Sequence, residues 1–218
     1  MPAFPLSAVR ALVVTLAFAL AALPSSPAPA QSAVENLSSV QPDGTRILEQ
    51  RVLVSAPAAA VWDAWTTSEG FRSWVAPVAA VDFRRGGWME ATYDFAGKVG
   101  DPRNIRNEIL AFAPGRMFAI RNVQAPPNAP FDAAVFQTLH TVVFVEATGP
   151  TQTLVTIVMP GVGKGAAFDG VYKHFEWGNA YTLDALRKRF VDGPTDWSQV
   201  EARVKASAEA ARKAKEAK

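Results

Sequence analysis

The chain has 218 residues, of which 49% are hydrophobic and 19% are charged, so it is long enough and apolar enough to bury a core. It contains no cysteine, which excludes disulfide bridges, thiolate metal sites and cysteine nucleophiles. The 22 basic and 20 acidic residues give a formal net charge of +2, and this near balance argues against a nucleic-acid-binding polycation.

Residues 1–30 have the organisation of a secretory signal peptide. Arg10 is their only charged residue, an apolar run of 13 residues follows it, and Ala28-Pro29-Ala30 fits a small-x-small cleavage pattern. A helix of that length rises about 20 Å, which is too short for the roughly 30 Å hydrocarbon core of a bilayer. We therefore expect cleavage and a periplasmic or secreted bacterial protein, with an uncleaved membrane anchor as the alternative. No later stretch is long and apolar enough to predict a membrane span.

The mature chain is expected to begin with a linker, a strand and two short helices. Residues 31–44 are rich in Ser, Asn, Gln and Asp and are predicted to be the linker. Residues 45–54 have the composition of a strand. Pro57 suits the first turn of one helix, and Ser68 can cap a second.

Six further strands are expected before the last helix, separated by turn residues. Alternation in the second of them places Met89, Ala91 and Tyr93 on one face, and Glu90 and Asp94 on an opposite, solvated face. A proline-rich loop over residues 122–137 is long enough to suggest a functional role. The six strands are predicted at residues 78–83, 88–95, 105–112, 117–120, 139–147 and 153–159.

A long helix is predicted near the C-terminus, because side chains of mostly apolar character recur at steps of three and four residues. Gly193-Pro194 would end this helix. The stripe consists of Phe168, Tyr172, Phe175, Asn179, Leu183, Leu186 and Phe190.

Residues 194–218 form a separate basic segment rich in Ala and Lys. Its composition favours a helix, but only Trp197, Val200 and Val204 could pack on the domain, so we expect a frayed, solvated tail. An alternative role is peripheral contact with an anionic membrane surface. The basic side chains for this contact are Lys205, Arg212, Lys213, Lys215 and Lys218.

Several segments in order resemble the START-like SRPBCC superfamily over residues 47–192. The stretch from Val54 to Trp74 is similar to the opening of those proteins, which carries the first strand into a pair of helices. The branch it most resembles is the activator-of-heat-shock-ATPase-like group. Two positions differ from the family pattern. Asn107 replaces the glycine that opens the family's hairpin, and Arg121 stands where an aromatic residue is often found. Other similar segments are Gly86-Gly87-Trp88, the hairpin from Glu108 to Met117, and Trp177 with Leu183 and Leu186.

The resemblance implies an α+β helix-grip fold over residues 45–193. In this fold a curved antiparallel sheet of six to seven strands wraps round the long C-terminal helix, and two short helices follow the first strand. A strongly curved sheet on an amphipathic helix leaves a cavity between them, and such cavities are mostly apolar with a few polar anchors. The family uses this space to hold hydrophobic ligands.

The ligand-binding residues are expected on the inward faces of these elements. The resemblance places Val155, Ile157 and Met159 inward, and cross-strand reasoning adds Val142 and Phe144, with His140 on the same face. The expected set is Trp74, Tyr93, Arg121, His140, Phe144, Phe168, Tyr172, Phe175 and Asn179.

The polar members of this set have competing interpretations. His140 in an apolar pocket could be an acid/base or a ligand anchor, or a satisfied core or edge histidine. The amide of Asn179 could bind a ligand, a sheet residue or trapped water, and the Tyr172 hydroxyl also needs a partner. Arg121 could recognise a carboxylate or reach into water. His174 lies beside the stripe and is expected to be a surface or boundary residue.

No cofactor, metal site or catalytic residue is predicted. The two histidines are not spaced as a ligand pair, there is no Gly-x-Ser-x-Gly elbow, and no two carboxylates form a convincing pair. The leading hypothesis is an exported, non-enzymatic protein that binds a small hydrophobic or amphipathic molecule. One alternative is a cyclase or dehydratase for a polyketide-like or aromatic substrate, using His140, Tyr172 and Asn179. Another is a co-chaperone-like protein-interaction module.

Overall fold

The computed structural model describes residues 33–127, 129 and 132–216, so the expected signal peptide lies outside the described residues. No helix within these ranges is both long and apolar enough to cross a bilayer. The elements in chain order are β1 (Val34–Asn36), β2 (Ser39–Val40), β3 (Arg46–Val54), α1 (Ala58–Thr66), α2 (Ser68–Arg72), β4 (Val78–Asp82), β5 (Trp88–Thr92), β6 (Ile105–Ala113), β7 (Met117–Gln124), α3 (Ala133–Gln137), β8 (His140–Gly149), β9 (Gln152–Val162), α4 (Ala166–Asp192) and α5 (Trp197–Glu216).

The strands form one antiparallel sheet in the order β1-β3-β9-β8-β7-β6-β5-β4, and β2 also pairs with β3. The α+β helix-grip prediction is confirmed, but the described chain has nine strands where six to seven were expected. The two additional strands lie in the segment predicted as a linker. Val34 of β1 lies opposite Val52, and Val40 of β2 lies opposite Arg46, so backbone pairing with β3 orders this polar segment.

The two short helices follow β3 as predicted. Pro57 precedes α1 in an extended conformation. The cap of α2 is not Ser68, as predicted, but Thr67, whose hydroxyl accepts a hydrogen bond from the Gly70 amide; the Ser68 hydroxyl bonds to the backbone of Val81 in β4. Trp74 is buried just after α2, and its Nε1 donates to the Ala64 carbonyl at 2.9 Å. Its ring meets that of Trp65 edge-on at 4.7 Å. Trp74 therefore fixes the helix pair as a core residue.

The long helix α4 lies against the sheet through Val171, Leu183 and Leu186, which are fully buried. Gly193 follows the last helical residue with a φ of 90°, a conformation that favours glycine. The start of the helix is held by Arg46 of β3, which pairs with Asp169 at 2.9 Å and donates to a loop carbonyl at 2.6 Å. This arrangement fixes α4 across the concave face.

The basic segment after Gly193 forms the helix α5, where a frayed tail was expected. The Trp197 indole donates to the Arg72 carbonyl at 2.7 Å, and the Thr195 amide donates to the Ser73 carbonyl at 2.8 Å. None of the residues in α5 is buried. Three of its basic side chains pair with glutamates one turn away, which reduces the charge available to an anionic surface. Contact with a membrane through this helix stays a prediction.

Candidate functional site

A cavity of about 510 Å³ lies between the concave face of the sheet and α4. Its volume is within the range of sites for small organic molecules. Strands β5 to β9 supply one wall, helices α1 to α4 another, and the chain after β7 contributes to the rim. The lining residues are Trp65, Phe71, Val75, Met89, Ala91, Tyr93, Ile105, Asn107, Ile120, Asn122, Ala125, Pro126, Phe136, Thr141, Val143, Ile157, His174, Phe175, Trp177, Gly178, Asn179, Tyr181 and Thr182.

The lining of the cavity is apolar with a small number of neutral polar groups. Among the described residues that form it, there is no Asp, Glu, Lys or Arg. An ionised ligand group would therefore lose its hydration without gaining a countercharge, and burial of an unpaired charge carries a large cost. The cavity is suited to an uncharged molecule.

His174 is part of this wall, although the sequence pattern suggested only a surface or boundary position. It lies on α4 next to Phe175, and the two rings meet edge-on at 5.7 Å. Desolvation lowers the pKa of His174 from its ordinary value of 6.5. The imidazole is therefore neutral at neutral pH, which keeps the wall without charge.

Two asparagines face each other across the sheet wall of the cavity. Asn107 of β6 lies directly opposite Asn122 of β7. Asn107 Oδ1 and Asn122 Nδ2 are buried without a hydrogen-bond partner among the described residues. Leaving a buried polar atom without a hydrogen-bond partner lowers the stability of the fold by about 1–3 kcal/mol. This pair is the most polar feature of an otherwise apolar wall.

The prediction of site residues missed both of these asparagines. The pattern that could have identified them is the two-residue alternation of the strands. Asn107 lies between Ile105 and Ile109 on one face of β6, and Asn122 follows Ile120 on one face of β7. A polar side chain in phase with inward apolar ones must either find a partner or serve a ligand.

Asn179 enters the cavity from α4, as the sequence predicted. The residue is buried, and its Nδ2 donates to the sulfur of Met159 at 3.4 Å. A thioether is a weak acceptor, so most of the hydrogen-bonding capacity of the amide remains for another group.

Three aromatic side chains surround the mouth of the cavity. Trp177 and Tyr181 stack on α4 with ring centres 5.5 Å apart, and Tyr93 lies at the end of β5. All three line the cavity while remaining largely exposed, Trp177 at 66%. Partial desolvation, with a smaller effect from Tyr181, raises the pKa of Tyr93 above its ordinary value of 10. The neutral phenol is thus favoured at the entrance.

His140, Phe144 and Arg121 do not reach the cavity. The pairing of Val143 with Ile157 puts Thr141, Val143 and Val145 on the concave face, so the even-numbered residues of β8 point outward. Cross-strand reasoning predicted the opposite face for each residue of β8. The error is one residue in phase, and it arose because residues 142–145 are apolar on both faces of the strand.

The outward side chains have other neighbours. Arg121 pairs with Glu108 on the outer surface, and His140 lies opposite Arg121 in the ladder. Phe144 is 42% exposed and lines a shallow groove of about 690 Å³ on the outer face. These three residues belong to the convex surface of the sheet.

The remaining expected residues divide between cavity and core. Tyr93, Phe175 and Asn179 line the cavity, whereas Trp74, Phe168 and Tyr172 do not. Phe168 and Tyr172 pack with the separate cluster around Leu48 and Met159, and the Arg46 guanidinium lies 4.4 Å from the centre of the Tyr172 ring.

Glu90 was expected to be solvated but is only 2% exposed. It does face away from the cavity, as the alternation predicted, yet the loop after β5 covers it. Its Oε1 accepts hydrogen bonds from the Gly100 amide at 2.5 Å and from Asn104 Nδ2 at 2.6 Å. Glu90 therefore anchors this loop and takes no part in the cavity.

The expected catalytic group of His140, Tyr172 and Asn179 is not assembled. The first lies on the outer face, the second under Arg46, and only Asn179 enters the cavity. Within the described ranges there is also no cluster of three His, Asp or Glu side chains that could hold a metal ion. The described lining offers burial, neutral hydrogen-bonding groups and one imidazole, that of His174.

Comparison with known proteins agrees with this architecture. The solution structure of the Aha1 dimer from Colwellia psychrerythraea is similar at 14% identity and a TM-score of 0.50, over 67% of this chain and 97% of that one. The solution structure of CalU16 from Micromonospora echinospora is similar at 21% identity and a TM-score of 0.50, over 74% of this chain and 76% of that one. At these identities the similarity establishes the fold.

No curated protein sequence matches this chain. The family model for Activator of Hsp90 ATPase homolog 1-like protein matches residues 55–190, which is more than half of the sequence. This range runs from the end of β3 to the end of α4 and so includes both walls of the cavity. The chain belongs to the Activator of Hsp90 ATPase homolog 1-like family, within the START-like SRPBCC fold.

Proposed function

We propose that this protein binds a small hydrophobic or amphipathic molecule in the cavity between the sheet and α4. The observation that carries the proposal is an apolar cavity of about 510 Å³ with few polar groups and an open aromatic mouth. An apolar molecule that enters this space removes apolar surface from water, which favours binding. The organisation of residues 1–30 supports action outside the cytoplasm, in a bacterial periplasm or secreted fraction.

Binding without catalysis is the version of this proposal that the geometry supports best. A cyclase or dehydratase would need an acid/base group beside the substrate. His140, which was expected in that role, lies outside the cavity, so an enzymatic role would now depend on His174, which lines it. A co-chaperone-like role rests on the family alone, and family membership is a weak argument for activity.

The experiment is a fluorescence titration with N-phenyl-1-naphthylamine, an uncharged apolar probe, on variants of two glycines in α4. A Cβ placed at Gly178 meets no atom within 4 Å, and this residue lines the cavity. Gly178→Leu therefore extends a side chain into the space proposed for the ligand. Gly170→Leu is the matched control, because it changes an exposed glycine of the same helix that does not line the cavity.

The proposal predicts saturable binding of about one probe per chain to the wild-type protein and to Gly170→Leu. Gly178→Leu should bind the probe at least tenfold more weakly, since about 1.4 kcal/mol corresponds to a factor of ten. Equal binding by the two variants would place the probe elsewhere and contradict the proposal. Thermal unfolding of both variants checks that the fold is retained.

A further inference from the structure

The pair Asn107 and Asn122 is unusual because no described residue of the surrounding sheet makes a hydrogen bond to Asn107 Oδ1 or Asn122 Nδ2. On one side, Asn107 lies opposite Met89 of β5. On the other, the ladder between β7 and β8 ends at Arg121, so Asn122 lies one residue beyond the last paired position. Directly across the sheet each asparagine therefore has the other as its polar neighbour, and Thr141 of β8, which pairs with Ile120, is the next polar residue of the lining.

The hydrogen-bonding capacity of the pair is not used within the described residues. Asn107 Oδ1, an acceptor, and Asn122 Nδ2, a donor, are each buried without a partner, and Asn122 is only 4% exposed. Each amide group has two donor hydrogens and a carbonyl oxygen, so together they offer both functions on one patch of wall. Both residues line the cavity, and rotation of their amide groups turns these enclosed atoms toward whatever occupies it.

The surroundings of the pair restrict the charge of that occupant. The described lining has no Asp, Glu, Lys or Arg, and the His174 imidazole is in its neutral form at neutral pH. An asparagine amide stabilises a neutral polar group well, but it does not compensate for the loss of hydration of a buried ion. A carboxylate or an ammonium head group would enter this wall without a countercharge.

We infer that Asn107 and Asn122 hold the head group of an uncharged amphipathic ligand that both donates and accepts a hydrogen bond, such as an amide or an alcohol. This inference rests on the proposed function, because it names the chemical class of molecule that the cavity takes. The ligand head group donates to Asn107 Oδ1 and accepts from Asn122 Nδ2. The apolar remainder of the ligand lies along Ile120, Val143 and Ile157.

The first test compares head groups on one tail, using the wild-type protein. Decanamide, decan-1-ol and decanoate are each titrated against bound N-phenyl-1-naphthylamine near neutral pH. The inference predicts that the amide and the alcohol displace the probe at concentrations at least tenfold lower than decanoate does, because only decanoate must bury an ion. Displacement by decanoate at the same concentration as by decanamide would overturn the inference.

The second test removes the two amides. In the double variant Asn107→Leu with Asn122→Leu, the cavity keeps its approximate shape but loses its polar patch. Probe binding should be retained, and decanamide should bind about tenfold more weakly than to the wild type. Probe binding in the variant serves as the control for an intact cavity.

The outcomes separate this inference from the proposed function. If the wild-type protein binds no probe and no member of the series, the proposed function fails and the inference falls with it. If the probe binds but decanamide affinity is the same in the wild type and the double variant, the asparagines hold only water and the inference alone is wrong. If the double variant does not fold, the single variants Asn107→Leu and Asn122→Leu decide by the same comparison of decanamide with the probe.

Discussion

Asn179 of α4 donates a hydrogen bond to the sulfur of Met159 in β9, and both residues are buried where the helix meets the sheet. The 3.4 Å contact is polar but weak, since a thioether is a poor acceptor. A buried amide with so weak a partner adds little to stability. Because Asn179 lines the cavity, its amide is available to bind a ligand more than to stabilise the fold.

The first prediction follows from this contact. Asn179→Leu should change the free energy of unfolding by less than about 1 kcal/mol, because the lost bond is weak and the new side chain is similar in size and apolar. Urea unfolding of the variant and the wild type measures the difference. A loss of more than about 3 kcal/mol would mean that the amide has a structural role that its contacts do not explain.

The second prediction concerns the glycine next to Asn179. Gly178→Ala should stabilise the protein by about 1 kcal/mol, because alanine is the better helix former and its Cβ enters open space. Gly193→Ala provides the contrast, since Gly193 has a φ of 90° and should lose stability on gaining a Cβ. Urea midpoints of the two variants should move in opposite directions. A fall in the midpoint of Gly178→Ala would show that the cavity is smaller than the structure indicates.

The third prediction concerns the buried carboxylate of Glu90. Glu90→Ala should lower the free energy of unfolding by about 2–3 kcal/mol, because the Gly100 amide and Asn104 Nδ2 lose their shared acceptor. Glu108→Ala is the matched control: its carboxylate pairs with Arg121 at the surface, so the loss should stay below about 1 kcal/mol. Hydrogen exchange at Gly100 should accelerate in the first variant alone. Equal losses for both variants would contradict the role of Glu90 as the anchor of its loop.

The fourth prediction is a pH dependence that arises from His174. Its pKa is lowered by desolvation, so the folded state favours the neutral imidazole and takes up a proton less readily than the unfolded chain. The stability linked to this group is present above about 6.5, the ordinary pKa, and is lost as the pH falls through the lowered value. Urea unfolding should show a weaker loss of stability with falling pH in His174→Gln than in the wild type.

NMR titration in His140→Gln isolates the signal of His174, because the sequence has two histidines. The measured pKa should lie below 6.5 and should fall further when a neutral ligand fills the cavity and removes water. A pKa at or above 6.5 would contradict the placement of this ring on the cavity wall.

The sequence was sufficient for the fold because its periodic elements are long. The stripe from Phe168 to Phe190 predicted α4, and Pro57 marked the start of the helix pair, although the cap of α2 is Thr67 and not Ser68. Order and spacing of these segments then indicated the family. The polar residues 33–44 were less informative, because β1 and β2 are ordered by pairing with β3 and not by their own composition.

The site was harder to predict, since it depends on the phase of each strand. The run Val142-Val143-Phe144-Val145 is apolar on both faces, so composition does not say which half points inward, and an error of one residue moved His140 and Phe144 into the cavity. The phase of β7 was determinable, because Ile120 and Asn122 alternate with the charged Arg121. Reading that alternation would have exchanged Arg121 for Asn122 in the expected site.

The most direct test of ligand binding in the cavity is methyl NMR of the labelled protein during titration with decanamide, because side chains of adjacent strand residues point to opposite faces of the sheet. Binding in the cavity predicts that the shift changes concentrate at the methyl groups of Val143 and Ile157, which line the cavity between the sheet and α4. Changes concentrated instead at the methyl groups of Val158, in the groove on the outer face, would contradict binding in the cavity.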